Sequence, residues 1–411
     1  MLKSEVAVMP IQGLPESEKI EYLVGSESML SHAVKLSTRR IFDDMVVDFL
    51  SNLSEKLIKD SASKAYPDVK AFAFSIRKAA LNKLKEGYDT RRRLGRGIAF
   101  HIEPSNVPVN FAVSLSEELL AGNICIFRVS GKDFPEVSLI CKEIKGLLNS
   151  DFPELSDYIC IIRYDRELRR ITEYLSSLCD VRVIWGNDST IADIRSIPLS
   201  SRAIELTFSD RDSISVMCSE EVLKADINSL VHDFYQDTYY SDQNACSAPR
   251  LIVWVGSDET SKRAAEIFRR GLLDYVRGRY SLPDIAGSDK LLNSCVVAGD
   301  QEGSTLFSED NYLVILRVDE LSEGLLDSKG NCGFFFEYLA SSLEELLPVF
   351  RKSCQTVTYF GIEREKIERL VIENGVRGVD RIVPLGKAMH ITNVWDGFDM
   401  INMMSRIVGT E

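Results

Sequence analysis

The stretch Gly97–Ser130, GIAFHIEPSNVPVNFAVSLSEELLAGNICIFRVS, decides the fold. It reads as an apolar strand, a proline-bracketed turn, a helix over 109–121, a Gly-Asn break and a second apolar strand, NICIFRV. Apolar strands joined through a helix are parallel partners, buried on both faces. The same alternation continues outward through a helix over 135–149, YICIIRY, a helix over 166–178, VRVIWG and a helix over 189–197. It predicts a doubly wound α/β sheet with helices on both faces.

Beyond this block, residues 202–207 and 213–218 read as two consecutive strands, where the chain passes from one domain into another. A second alternating block follows: a helix over 220–238, a polar loop over 241–249, the strand LIVWVG and a helix over 258–280. Several strands then run to about 361, followed by helices over 363–374 and 396–408. Ahead of the first block, helical periodicity runs over 26–60 and 64–88. The 411 residues allow two to three domains at about 150 residues each.

Composition narrows the function classes. Lys and Arg number 49 against 62 Asp and Glu, a formal net charge of −13, which disfavours a general nucleic-acid role. The start of the chain has no basic region followed by an apolar run, and stretches such as LLAGNICIF fall short of a membrane span. The nine cysteines include no CxxC, and the nearest pair, Cys125 and Cys141, are 16 residues apart. Neither they nor the four histidines have metal-ligand spacing, so the expectation is a cytoplasmic chain with reduced thiols and no metal.

Two polar positions stand out. Eight cysteines lie in or beside apolar stretches, whereas Cys246 sits in SDQNACSAP, a polar loop leading into a core strand. It is either a reachable nucleophile held by a rigid scaffold or a loop residue of no consequence. Asn106, in Pro104-Ser105-Asn106-Val107-Pro108, follows a parallel strand at the carboxyl end, where doubly wound sheets bind ligands. Its amide either holds an oxyanion or closes the turn by bonding its own backbone.

The P-x-N-x-P turn, the Leu120-Ala121-Gly122-Asn123 helix end and the Cys246 loop resemble the aldehyde dehydrogenase superfamily. More closely, VIWGNDSTIADIRS, DQNACSAP and GVDRIVPLGKAMHITNVWDGFDMI resemble the LuxC-type acyl-CoA reductases (fatty acid reductases), in order over roughly 95–411. The resemblance implies two doubly wound α/β domains with a helical N-terminal region. The implied division is an N-terminal helical region at 1–95, an NADP-binding domain at 96–215 and a catalytic domain at 216–380. A segment at 381–411 then returns to the cofactor domain. It further implies reduction of an acyl thioester to an aldehyde: Cys246 attacks, forming an acyl-enzyme, and Asn106 with the Cys246 backbone N–H stabilises the oxyanion. Hydride from NADPH then yields the fatty aldehyde. The implied partner is acyl-CoA or an acylated carrier or synthetase, and the superfamily implies a homo-oligomer.

On the cofactor side, aldehyde dehydrogenases carry Lys-x-x-Glu where this chain has Arg128-Val129-Ser130-Gly131. Keeping a cation while Gly131 replaces the carboxylate favours a 2′-phosphate, hence NADPH. Gly186 and Asn187, in Trp185-Gly186-Asn187-Asp188, match the family's strand-to-helix turn near the dinucleotide, with Asp188 a candidate cap. Glu205 stands near the position of the family's water-activating Glu, but without the Gly-Gly-Lys that follows it there. It is therefore either a retained acid/base or a strand residue facing solvent. His101 and His232 read as structural, Trp395-Asp396-Gly397 as part of a closure between domains, and Arg381 and Lys387 as charges for an anionic carrier. Two rivals stand beside the reductase: a dehydrogenase running oxidatively, and an acyl-accepting subunit that does not reduce.

Overall fold

The computed structural model describes residues 14–284, 286–300, 303–327 and 330–409. Residues 1–13 of the expected N-terminal region and 410–411 of the C-terminal segment lie outside the described residues. Internal contacts divide the chain into two compact units. One runs to Ser209 and takes up the chain again at Ile391, and the other spans Asp210–His390. The division thus falls at 209/210 and 390/391, not at 215/216 and 380/381.

The first unit is built on β1 (Glu21–Val24), β2 (Ile98–Ile102), β3 (Ile124–Arg128), β4 (Ile159–Arg163), β5 (Val181–Trp185) and β6 (Ile204–Phe208), ordered β1-β4-β3-β2-β5-β6. All neighbours are parallel except β1, which runs antiparallel to β4. The connecting helices are α1 (Asn110–Ala121), α2 (Pro135–Ser150), α3 (Arg169–Leu178) and α4 (Asp188–Arg195). Period-two alternation assigns each strand residue to a face. Ala99, Cys125 and Phe127 join Phe111, Leu115, Ile140 and Ile144 in one core, while Phe100, Ile102 and Ile126 join Ile171, Leu175 and Ile191 in the other. Because both faces are covered, the strands read as continuous apolar runs. Gly122 closes α1 in the left-handed region at φ 91°, and a Cβ there would lie 2.2 Å from the Arg39 carbonyl oxygen.

The N-terminal region is helical over Glu27–Ala33, Asp44–Lys59, Pro67–Ser75 and Lys78–Lys85, but it also supplies the edge strand β1. The tail departs further from the expected helix over 396–408. Helix occupies only Met400–Met404, after a two-residue-per-strand hairpin (Val394–Trp395 with Phe398–Asp399). Asp396 and Gly397 form its turn, both at positive φ (46° and 77°), as Asp-Gly in a hairpin requires. Trp395 meets Trp185 edge-on at 6.0 Å and Phe398 meets Phe208 at 6.1 Å, so the Trp-Asp-Gly segment packs within the first unit.

The second unit is built on β7 (Asp212–Cys218), β8 (Pro249–Val255), β9 (Thr305–Asp310), β10 (Leu313–Arg317), β11 (Phe334–Ala340), β12 (Cys354–Phe360) and β13 (Arg381–Pro384). Their order is β9-β10-β11-β8-β7-β12-β13, with only β9 antiparallel. Its helices include α5 (Ile227–Asp237), α6 (Asp258–Arg277) and α7 (Ala286–Asp300), the last falling where strands alone were expected. Ile214, Val216, Leu251 and Val253 face one core and Met217, Ile252 and Trp254 the other. Strands 204–208 and 212–218, consecutive in sequence, therefore belong to different sheets, as a crossing between domains requires.

Candidate active site and cofactor edge

Cys246 lies at the amino end of β8, the central strand of the second unit's sheet, and is half-buried. Its loop is held by many hydrogen bonds. The buried Gln243 side chain donates Nε2 to the carbonyls of Pro249 (3.3 Å) and Phe334 (3.1 Å) and accepts from Gly333 N at 2.6 Å. Arg250 donates to the Gln243 carbonyl at 2.9 Å and to Asn331 Oδ1 at 2.8 Å. Ser213 Oγ donates to the Cys246 carbonyl at 2.7 Å and accepts from Thr356 N at 3.1 Å. Asp242 and Gln243 both take positive φ (52° and 56°), a backbone cost that these long-range bonds offset. Neither Gln243 nor Arg250 drew attention in the sequence, although both bracket Cys246 in DQNACSAPR.

Six of the other eight thiols are set apart by burial. Cys125, Cys141, Cys160, Cys179 and Cys354 are buried, and desolvation pushes each thiol above its ordinary value, disfavouring the nucleophilic thiolate. Cys332 is buried too, Cys218 is half-buried and Cys295 on α7 is exposed.

In the first unit, the sheet order reverses between β2 and β5, and the loops following these two strands form the edge at which open α/β sheets bind ligands. Asn106 sits in the loop after β2, exposed. Beneath it lies a buried polar cluster. Glu103 accepts from Asn110 Nδ2 at 2.8 Å, His101 Nε2 lies 2.9 Å from Glu118 and Nδ1 3.5 Å from Glu103, and Asn123 donates to Glu118 at 2.5 Å. Both ends of the Asn106 turn are thereby anchored.

Burial works against the His101 charge, but Glu103 and Glu118 outweigh it and the imidazole is pushed up to about 9. Burial drives Glu117, next to the cluster, well above the ordinary carboxyl range. A raised histidine pKa stabilises the fold fully below the unfolded value of 6.5, and that stabilisation is lost as pH rises through about 9. Between these limits, thermal melts of the native chain should lose more stability than those of His101→Gln. Parallel curves would remove the charge from His101. His232, in contrast, is exposed and bonded to Tyr275 Oη at 2.7 Å.

The cofactor-edge residues divide into two groups. Arg128, at the end of β3, lies over the Tyr164 ring at 4.8 Å and reaches the Tyr164 carbonyl at 3.5 Å. Its Nε is buried without a partner, and it forms no ion pair among the described residues. Nothing lies within 4 Å of where a Gly131 Cβ would sit. A guanidinium with bonding capacity to spare beside open space, with no carboxylate paired to it, fits the 2′-phosphate of NADPH.

Ser130, Gly186 and Asn187 also have contacts within the fold. Ser130 accepts from Lys132 N (3.1 Å) and, through its carbonyl, from Arg163 (3.0 Å). A Gly186 Cβ would stand 3.1 Å from the Thr190 side chain. Asn187 caps α4, accepting from Thr190 N at 2.9 Å, so the cap is Asn187 rather than Asp188.

Glu205 is neither a free acid nor a solvent-facing strand residue. It accepts from Arg182 Nε at 2.7 Å and from Arg195 Nε at 2.8 Å, and also pairs with Arg182 Nη2. Arg182 is only 2% exposed, so removing its partner leaves an uncompensated buried charge. Glu205→Ala should cost about 3 kcal/mol of stability while turnover per folded molecule stays near wild type. Loss of turnover with unchanged melting would return Glu205 to the chemistry. Arg381 is likewise committed: its guanidinium donates to the carbonyls of Ala388 (2.6 Å), Lys387 (3.1 Å) and His390 (2.9 Å). Those bonds close the 384–390 loop, which Asp237 also holds through Gly386 N and Ala388 N.

Among the described residues, no group of three or more His, Cys, Asp or Glu could hold a metal ion, and no helix is long and apolar enough to cross a membrane.

The fold is aldehyde dehydrogenase-like. The glyceraldehyde-3-phosphate dehydrogenase of Methanocaldococcus jannaschii, solved in complex with NADP, aligns with TM-score 0.64 at 12% identity, covering 97% of this chain and 94% of that one. The 1-pyrroline-5-carboxylate dehydrogenase of Thermus thermophilus aligns with TM-score 0.65 at 12% identity, covering 93% and 85%. Within that class, residues 75–270 match the family described as acyl-CoA reductase (LuxC). The long-chain acyl-protein thioester reductase of Aliivibrio fischeri is 23% identical over 165 residues, 40% of this chain and 33% of the relative. That of Vibrio harveyi is 23% identical over 331 residues, 79% of this chain and 66% of the relative. The chain thus spans from about a third to about two thirds of the curated relatives it matches.

Proposed function

We propose that this chain is an NADPH-dependent reductase that converts an acyl thioester, from acyl-CoA or an acylated carrier or synthetase, to an aldehyde through an acyl-enzyme on Cys246. The observation that carries the reading is the Cys246 loop: a half-buried thiol, fastened by Gln243, Arg250 and Ser213, in a chain whose relatives are named as thioester reductases. In this reading the Cys246 thiolate attacks the thioester carbonyl carbon. The tetrahedral oxyanion is held by Asn106 Nδ2 and the Cys246 N–H, the carrier thiolate leaves and takes up a proton, and the acyl group stays on Cys246 as a new thioester. Arg128 and Gly131 would hold NADPH, which would supply the hydride that reduction requires. Cys246 is then the leaving group, departing as thiolate when the thiohemiacetal oxygen re-forms a carbonyl and the aldehyde is released.

Glu205, held by two guanidiniums, is left out of the chemistry. With Glu205 committed to these guanidiniums rather than to water, the acyl-enzyme survives until it is reduced. Incubating the chain with acyl-CoAs of graded length plus NADPH, and separately with aldehyde plus NADP, tests the reaction: aldehyde formation should dominate. Acid formed from aldehyde, with none of the reverse, would favour the oxidative dehydrogenase. Arg128→Ala should raise KM for NADPH about tenfold or more while leaving that for NADH nearly unchanged. Equal losses with both nucleotides would overturn the 2′-phosphate assignment.

A further inference from the structure

The acidic chain contains a local concentration of positive charge. A concavity of about 370 Å³ in the first unit is lined by Arg96, Arg202, Arg406 and Asp180. Arg96 precedes β2, Asp180 precedes β5 and Arg202 precedes β6. Arg406 lies in Ser405–Ile407, which pairs antiparallel with Arg93–Gly95. The concavity is therefore at the amino ends of the parallel strands, whereas Arg128 and Gly186 are at the carboxyl ends. Five-residue strands separate the two edges by about 16 Å.

Three guanidiniums here face a single carboxylate, and that carboxylate is already engaged: Asp180 Oδ2 accepts from Ile98 N at 2.9 Å. Arg96 is fixed in place, Nε donating to the Met403 carbonyl at 2.9 Å. Arg202 and Arg406 are exposed and make no ion pair or side-chain hydrogen bond among the described residues. Burial and the neighbouring Arg93 and Arg406 push the Arg96 guanidinium below its ordinary value, with Glu118 opposing; like charges are crowded there. Their repulsion is relieved by an anion that accepts several N–H bonds at once, and the guanidinium fork matches phosphate oxygens better than a lone carboxylate. A concavity of this size suits a compact polyanion rather than a folded partner surface.

We propose that this concavity is a binding site for a phosphate- or pyrophosphate-bearing anion, separate from the cofactor edge of the same sheet. The proposal does not rest on the reductase reading. Isothermal titration of the full chain with inorganic pyrophosphate, in dilute chloride buffer, should give one saturable site. The double variant Arg202→Ala/Arg406→Ala should weaken it at least about tenfold, since each lost guanidinium removes charge-assisted bonds. Both side chains are exposed, so the variant should melt like wild type and bind NADPH with unchanged affinity. A competition arm with coenzyme A separates the sources. Displacement of pyrophosphate by CoA assigns the phosphate to a coenzyme, and failure to displace assigns it to a free small anion; either supports the site. No saturable binding of pyrophosphate, equal binding by the double variant, or equal displacement by chloride at matched ionic strength would overturn it.

Discussion

Cys246→Ala should lower turnover by at least about 10⁴-fold and abolish acyl labelling, because the acyl carbon stays bonded to that sulfur from thioester attack until aldehyde release. The loop should survive the change. The Gln243 amide, the Arg250 guanidinium and the Cys246 carbonyl fasten it, and alanine keeps all three. Melting temperature and circular dichroism should therefore match wild type, and Cys246→Ser provides a second, nearly isosteric check. Retained turnover in a folded variant, or labelling that moves to half-buried Cys218 or exposed Cys295, would dismiss Cys246 as the nucleophile.

Asn106→Ala should cost about 2–4 kcal/mol of transition-state stabilisation, seen as a fall of about 30- to 10³-fold in kcat with KM little changed. The expectation rests on the side chain's setting: exposed at the carboxyl end of β2, with the turn anchored from below by Glu103 on Asn110 rather than by Asn106 itself. An amide that only closed its own turn would show the opposite pattern, lowering stability and sparing kcat. Asn106→Asp adds a check, since a carboxylate at the oxyanion position should be at least as damaging as alanine. Wild-type kcat in either variant would remove Asn106 from the site.

The parallel sheets were legible in the sequence because strands buried on both faces become continuous apolar runs, and the helices between them keep their stripe. The tail was misread because Phe398, Met400, Ile401 and Met404 mimic a helical face. The Asp396-Gly397 pair, a direct hairpin signal, outranks that spacing. Cys246 could be singled out because its polar neighbours contrast with the apolar surroundings of the other thiols. The support for its loop could not be read, since Gln243 reaches Phe334 and Gly333 about ninety positions away. The same limit applied to Glu205. Its partners Arg182, on the adjacent strand β5, and Arg195, at the end of α4, are brought to it by the sheet rather than by sequence. Local rules also confused neighbours in the α4 turn, where Asn187 and Asp188 are both competent caps and only backbone geometry chooses between them.

The central claim is that Cys246 carries the acyl group between thioester and aldehyde, and intact-protein mass spectrometry tests it most directly. Incubated with acyl-CoA alone, the chain should gain the mass of one acyl group, mapped by peptide analysis to Cys246. On adding NADPH that mass should disappear, with one aldehyde and one oxidised nucleotide formed per acyl group released. Acylation at another residue, an acyl group that NADPH never discharges, or its release as free acid would contradict the account.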